Sequence, residues 1–121
     1  LVGMDVGIIS LADTVGLADP QQVFSITRYL VESLPGTEIG VHLHSTADNW
    51  KEKLDAAFKA GCRRFDGALK GIGGCPMAND DLVGNMNTEW MIDYFREQDV
   101  LPELNENALK HSIAMAEALF K

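Results

Sequence analysis

The sequence predicts an α/β fold with about three parallel strands and helices between them. Short apolar runs alternate with helical repeats along the chain. The first run, residues 6–11, is apolar on both faces, as in a strand of a parallel sheet covered on both sides. Two closures fit this order: a small open sheet, or a segment of a (β/α)₈ barrel, which as a whole needs about 250 residues. In both, ligands bind at the carboxyl ends of the strands.

The first strand is predicted over residues 6–11, and a helix follows it. Asp19 is a suitable N-cap and Pro20 a suitable first helical residue, because proline has no N–H to leave unpaired there. Pro35-Gly36 ends the helix. Its predicted buried face consists of Val23, Ile26, Leu30 and Leu34.

The second and third strands are predicted over residues 38–43 and 63–69, with a helix between them that ends at Gly61. Ser45 or Thr46 is expected to cap this helix, since a hydroxyl can accept from a free N–H of the first turn. The apolar spacing gives the helix one buried stripe. That stripe consists of Trp50, Leu54, Ala57 and Phe58.

The last third of the chain is predicted as a loop over residues 77–86 and two helices. Thr88 is the expected cap of the first helix, and Pro102 interrupts the helical pattern after it. Residues 105–120 form the final helix. The two inward faces are predicted from the apolar spacing: Trp90, Met91, Tyr94 and Phe95 in the first, and Leu109, Ile113, Ala116 and Phe120 in the second.

The composition limits the classes of partner. The 121 residues carry a formal charge of −8, which argues against nucleic acid or an anionic membrane as partner. No apolar run reaches the 20 or so residues of a membrane span, and no signal peptide is evident. Two cysteines without an export signal are expected to be free thiols in a reducing compartment, the cytoplasm or a mitochondrial matrix.

His42 and His44 are the first candidates for chemistry. Residues two apart on a strand point to the same side, with Cα atoms about 6 to 7 Å apart. Two imidazoles placed in this way can bind one cation, although a histidine in an apolar setting is often structural. The pair therefore favours a metal site over two structural side chains.

Asp13 and Asn85 are candidate polar partners of this pair. Asp13 follows the first strand, where it can orient a histidine, act as a base, or serve only as a turn residue. Asn85 offers an amide oxygen suited to magnesium or manganese, but asparagine after glycine is also a common turn signal. Asp66, on the third strand, is interpreted as structural.

Cys75 lies in a segment rich in glycine and proline, residues 71–78. Gly71, Gly73 and Gly74 allow positive φ and close approach of a ligand to the backbone, which makes them candidates for a substrate-binding loop. Pro76 restricts the residue before it to extended geometry. The segment therefore presents a thiol at a turn, either as a reactive group or as an incidental surface cysteine.

Several of these segments together resemble one family, the hydroxymethylglutaryl-CoA lyases, in its carboxyl-terminal part. The matching segments are His42-Leu43-His44, Gly71-Ile72-Gly73-Gly74-Cys75-Pro76-Met77-Ala78, Gly84-Asn85 with Thr88-Glu89, and Ser10-Leu11-Ala12-Asp13-Thr14-Val15-Gly16. The cysteine loop is the most specific of them. H-x-H also occurs in related synthases that condense acyl-CoA with keto acids.

The resemblance implies the carboxyl-terminal portion of a (β/α)₈ barrel, with residues 1–121 as a single segment. It implies cleavage of 3-hydroxy-3-methylglutaryl-CoA to acetoacetate and acetyl-CoA with a divalent cation, Mg²⁺ or Mn²⁺. His42, His44 and Asn85 would bind the metal, Cys75 would be the catalytic thiol, and Asp13 an acidic residue of the active site. An acyl-CoA is the implied substrate.

The family's Arg-Asp pair on the first barrel strand has no counterpart here. We therefore expect the segment alone to be inactive and to self-associate as a homo-oligomer, because its sheet edges and inner face would be bare. Two alternatives remain. One is an acyl-CoA-condensing synthase of the same superfamily, and the other is a non-catalytic α/β module with a closed core and no metal at His42 and His44.

Overall fold

The computed structural model describes residues 1–74 and 83–120. The strands and helices follow one another in the order β1 (Ile8–Ala12), α1 (Pro20–Ser33), β2 (Glu38–His42), β3 (His44–Ser45), α2 (Trp50–Lys59), β4 (Arg64–Asp66), β5 (Gly84–Asn85), α3 (Thr88–Glu97) and α4 (Glu106–Leu119). In the part of the chain that is described, no helix is long and apolar enough to cross a bilayer.

A parallel three-stranded sheet with the order β1-β2-β4 forms the centre of the fold. α1 and α2 pack against each other, and the predicted alternation of strands and helices is confirmed. The buried core joins β2, α2 and α3. Its most buried members include Val41, Leu54, Ala57, Cys62, Met86 and Tyr94.

β1 differs from the prediction in its bounds and in its burial. It begins at Ile8 instead of residue 6, and three of its five residues are exposed. Ile8 itself is 46% exposed. β1 is an edge strand of the described sheet, so one side of it meets no neighbour, and its apolar character is not matched by burial within this chain.

α1 begins as predicted. The Asp19 carboxylate accepts from the Gln22 N–H at 2.8 Å, and the Gln22 side chain accepts from the Asp19 N–H at 3.0 Å, which is a complete capping box. The predicted inward face is partly wrong. Val23 is buried, but Thr27 rather than Ile26 is the second buried residue, and Ile26 is 52% exposed.

The second predicted strand is interrupted. β2 ends at His42, and β3 opens at His44 in a separate antiparallel pair with β5. β5 lies inside the predicted loop 77–86. A two-residue strand is too short to produce an alternation of apolar and polar residues, so this pair was not predictable from periodicity.

Three boundaries also differ from the prediction. α2 begins at Trp50 after Asn49, later than Ser45 or Thr46 would give. The cap of α3 is Asn87, whose side chain accepts from two backbone N–H groups of the first turn. The third strand is short, Arg64–Asp66, because the chain turns into a 3₁₀ segment at Leu69.

α4 is confirmed within one residue, with Asn105 as its N-cap accepting from the Ala108 N–H at 3.0 Å. Its predicted inward face is wrong in part, because Ala116 is its only buried member and Phe120 is 62% exposed. α4 packs mainly on the 3₁₀ segment Leu69–Gly71 and lies away from the core, so one small side chain is enough for the contact.

Candidate functional site

The carboxyl ends of the three parallel strands are aligned. Ala12 is in register with His42, and His42 is in register with Asp66. The Asp13 N–H donates to the His42 carbonyl oxygen at 2.9 Å and extends the ladder past the end of β1. These polar residues therefore share one edge of the sheet, where parallel α/β folds bind their ligands.

The two imidazoles converge, although their residues lie on different strands. The ring centroids of His42 and His44 are 5.2 Å apart and the rings are nearly perpendicular, at 88°. His44 is buried, at 6% exposed, and His42 is half-buried. The break at Leu43 thus keeps both rings within reach of a single ligand.

A backbone hydrogen bond fixes the tautomer of His44. Its Nδ1 lies 2.7 Å from the carbonyl oxygen of Asp13, which can only accept, so Nδ1 carries the proton. Nε2 then has a free lone pair, which is the form that binds a metal ion. The Nδ1 of His42 lies 4.0 Å from a carboxylate oxygen of Asp66, too far for a hydrogen bond.

Asn85 lies directly opposite His44 in the antiparallel pair of β3 and β5. Side chains of directly opposed residues leave the same face with Cβ atoms about 5 Å apart. The Asn85 Nδ2 donates to the carbonyl oxygen of Ile72 at 2.8 Å, which fixes the orientation of the amide. Its Oδ1 is the atom able to bind a cation.

Glycines bring the loop after β4 against this asparagine. Gly71 and Gly73 have φ values of +66° and +84°. A Cβ on Gly73 would lie 3.0 Å from the Asn85 Nδ2, and one on Gly74 would lie 2.5 Å from the Val83 carbonyl oxygen. Backbone conformation and space therefore both require glycine here. Cys75 lies outside the described residues.

Asp13 is held by its neighbours on both carboxylate oxygens. Oδ1 accepts from the Ala18 N–H at 3.1 Å, and Oδ2 lies 2.5 Å from the Nζ of Lys53. Its side chain is only 7% exposed. A carboxylate engaged in this way is suited to holding its surroundings in place, and it is the backbone oxygen of Asp13 that orients His44.

Lys53 is a residue of this site that sequence reasoning missed. It is 1% exposed and lies on the buried side of α2 with Ala56, Ala57 and Ala60. Those residues follow it at i+3, i+4 and i+7, which is the helical pattern of one face. A lysine that begins such an apolar stripe was the available signal.

The described residues fit part of a metal site. No group of three or more His, Cys, Asp or Glu side chains able to hold an ion occurs in residues 1–74 and 83–120. The set at this edge is instead two imidazoles and one amide, with His44 in the ligating tautomer. Such a set leaves positions for further oxygen ligands and substrate.

The chain is similar to several proteins along most of its length. The HMGL-like family model matches residues 1–115. The (R)-citramalyl-CoA lyase of Chloroflexus aurantiacus is 38% identical over 108 residues, which are 89% of this chain and 34% of that protein. A hydroxymethylglutaryl-CoA lyase of Bacillus subtilis is 34% identical over 92 residues, 76% of this chain and 30% of that protein.

Solved structures agree with these relatives. An HMG-CoA lyase from Acinetobacter baumannii, in complex with coenzyme A and 3-methylmalate, matches with a TM-score of 0.80 and 32% identity, over 98% of this chain and 38% of that one. The HMG-CoA lyase structure from Bacillus subtilis gives a TM-score of 0.84 at 28% identity, over 99% of this chain and 40% of that one.

The chain thus spans about a third of the length of the curated relatives it matches. Its parallel strands and flanking helices have the fold of the corresponding part of the lyase barrels, which confirms the expectation of a barrel segment over that of a small open sheet. The match over residues 1–115 shows that the chain belongs to the HMGL-like family.

Proposed function

We propose that the protein carrying this chain is a metal-dependent carbon–carbon lyase that cleaves 3-hydroxy-3-methylglutaryl-CoA to acetoacetate and acetyl-CoA. We also propose that residues 1–121 are one segment of its barrel. The observation that carries the proposal is the convergence of the His42 and His44 rings, 5.2 Å apart, with Asn85 opposite His44. The similarity to acyl-CoA lyases supports the choice of reaction.

His42, His44 and Asn85 would hold the cation in this reading. A bound Mg²⁺ or Mn²⁺ would acidify the tertiary hydroxyl of the substrate and stabilise negative charge on the thioester oxygen. Imidazole ligands favour Mn²⁺ and the amide oxygen suits either ion, so the metal is expected to be exchangeable.

Cys75 and Asp13 are proposed to have separate roles in the reaction. A base of the intact active site takes the hydroxyl proton, the carbon–carbon bond breaks, a ketone forms on one fragment, and the acetyl-CoA enolate on the other needs a proton. The Cys75 thiol is proposed to supply that proton, with Gly71, Gly73 and Gly74 allowing the loop to approach the substrate. Asp13 is proposed to orient His44, because its carboxylate is already engaged.

A second substrate has specific support. The (R)-citramalyl-CoA lyase is 38% identical to this chain. Citramalyl-CoA carries the same hydroxyl, methyl and thioester groups, but its carboxylate is one methylene closer to the carbinol carbon. One methylene is worth about 10- to 200-fold in discrimination. The reaction class is shared, and the preferred chain length is what an assay has to decide.

The test uses the intact protein with Mn²⁺ and each thioester, and it measures acetyl-CoA together with acetoacetate or pyruvate. His42→Ala and His44→Ala are each expected to lower kcat/KM by more than about 100-fold. Loss of a residue that only supports a metal ligand usually lowers activity about 10- to 100-fold, and loss of a ligand itself should lower it further. His111→Ala is the matched control, because that residue is exposed on α4. Unchanged turnover in either histidine variant would contradict the proposal.

The same assay separates the rivals. A condensing synthase would form a longer acyl-CoA from acetyl-CoA and a keto acid, and its turnover would survive Cys75→Ala. A non-catalytic module would show no turnover in either direction. Cys62→Ala is the control for the thiol variant, because Cys62 is fully buried. Activity lost in both cysteine variants would indicate damage to the fold instead of loss of a proton donor.

A further inference from the structure

Lys53 is buried where a lysine is costly. Its side chain is 1% exposed, and the adjoining Leu54 and Ala57 of α2 have no exposed surface. Lysine is almost never buried to this degree unless it is paired, because the ammonium group loses its hydration. The surroundings must therefore supply its partners.

Each N–H of the Lys53 ammonium finds an acceptor. Nζ lies 2.5 Å from the Asp13 Oδ2, 2.8 Å from the His44 carbonyl oxygen and 3.2 Å from the Gly16 carbonyl oxygen. An ammonium has three donors and no acceptor, so these three contacts use its full capacity. The group is satisfied without water.

Two of the three Lys53 contacts hold His44 in place, one directly and one through Asp13. Lys53 holds the carboxylate of Asp13, and the carbonyl oxygen of Asp13 accepts from the His44 Nδ1 at 2.7 Å. Lys53 also holds the carbonyl oxygen of His44 itself. The ring of His44 is therefore fixed from its backbone and from its Nδ1 by groups that share one ammonium.

We infer that Lys53 is a positioning residue for the metal ligand His44: it holds Asp13 and the His44 backbone so that Nδ1 stays protonated and Nε2 faces the cation. This inference rests on the proposed metal site. It adds α2 to the elements that build the site, because the Lys53 ammonium holds the side chain of Asp13 and the backbone of His44.

The chemistry of the site requires lysine in particular. Methionine has a similar length and no donor, so Lys53→Met would leave the Asp13 carboxylate and two carbonyl oxygens without their partner. Arginine keeps the charge, but its planar fork cannot direct three N–H groups from one atom to three converging acceptors. Both changes are expected to release the His44 ring.

The test measures Mn²⁺ binding to the intact protein without substrate. Electron paramagnetic resonance detects the free ion and so gives the affinity. Lys53→Met is expected to weaken binding about 10- to 100-fold, the usual effect of removing an outer partner of a metal ligand. Lys51→Met is the control: its side chain is 61% exposed and pairs with Glu97 at 3.7 Å. Its affinity should match that of the unaltered protein. Binding by Lys53→Met within twofold of that value would overturn the inference.

A double variant covers the case in which Lys53→Met does not fold. Asp13→Asn with Lys53→Met removes both buried charges, while the Asp13 backbone oxygen and an acceptor for the Ala18 N–H remain. If the lysine only neutralises Asp13, this pair restores the Mn²⁺ affinity and the inference fails. If the lysine positions His44, the pair folds and still binds Mn²⁺ at least tenfold more weakly.

Nitrogen-15 spectra of histidine in the metal-free protein give a readout that is independent of activity. His44 is expected to show a protonated Nδ1 in the unaltered protein and a mixture of tautomers in the Lys53 variants, while Lys51→Met leaves it unchanged. An unchanged His44 tautomer in both Lys53 variants would overturn the inference. Mn²⁺ binding to His42→Ala and His44→Ala tests the metal site separately. If these variants bind Mn²⁺ as tightly as the unaltered protein, the proposed function fails, whatever the Lys53 variants show.

Discussion

Two interior side chains show how the fold controls single residues. Cys62 is fully buried, and its Sγ lies 3.3 and 3.1 Å from the carbonyl oxygens of Ile39 and Arg64, either of which can accept its single S–H. Burial raises the pKa of this thiol. Burial, together with the hydrogen bond to the Asp55 carboxylate, also raises the pKa of Tyr94 well above its usual range. Cys62 is a packing residue, in contrast to the role proposed for Cys75.

The contribution of the buried Cys62 thiol to stability should decrease at alkaline pH. A thiol whose pKa is raised by folding stabilises the folded state fully below its unfolded pKa, about 8.5, and this contribution is lost as pH rises through the folded value. The free energy of unfolding of the intact protein should therefore exceed that of Cys62→Ala at pH 7.5, and the gap should narrow by pH 10. Urea unfolding at both pH values measures it. A gap that widens would contradict the prediction.

At the scale of elements, a hydrogen bond beside an aromatic cluster joins α2 and α3, in addition to the exposed ion pair of Lys51 and Glu97. The Tyr94 hydroxyl donates to the Asp55 Oδ1 at 2.7 Å. Burial opposes the charge on Asp55, but hydrogen bonds from Lys59 and Tyr94 outweigh it and lower the pKa of Asp55. The Phe58 ring packs edge-on against Tyr94 at 6.0 Å. The contact fixes how α3 sits on the helix that carries Lys53.

Removing that hydroxyl should cost a measurable part of the stability. Tyr94→Phe keeps the ring packing and deletes one hydrogen bond to a partly exposed carboxylate, which is worth about 1 kcal/mol. Chemical denaturation of the intact protein gives the value. A cycle with Asp55→Asn and the double variant isolates the contact. Additive effects of the two single changes would show that the hydroxyl and carboxylate do not interact.

At the scale of the whole molecule, the apolar surface is concentrated on the side of β1 and α1. An open cleft of about 950 Å³ lies between them and β2, lined in part by Leu11, Leu17, Ile26 and Tyr29. Thr27 is buried beside it, and its Oγ1 has no hydrogen-bond partner among the described residues. The exposed large apolar side chains of the first 30 residues are Leu1, Val2, Met4, Ile8, Leu17, Phe24, Ile26 and Tyr29.

This surface argues against a closed module and predicts the behaviour of the isolated segment. Residues 1–121 alone should self-associate, because an edge strand and a large apolar patch are left bare. Ile8→Lys, at the edge of β1, should reduce the association, whereas Met115→Lys on α4 should leave it unchanged. Size-exclusion chromatography with light scattering measures the mass. A monomer in the unaltered segment would contradict the prediction, and it would also remove the basis for a homo-oligomer of the segment.

The sequence alone determined the α/β class, the alternation of elements, the cap of α1 and the candidates His42, His44 and Asn85, because these depend on local spacing and on short motifs. The break at Leu43, the pairing of His44 with Asn85 and the burial of Lys53 were decided only by tertiary structure. Residues 13, 44 and 85 are far apart in the chain, and the contacts among them and Lys53 depend on strand register and helix packing. No local pattern encodes those two quantities. The positioning role inferred for Lys53 likewise depends on the tertiary fold, because that fold brings its three acceptors together.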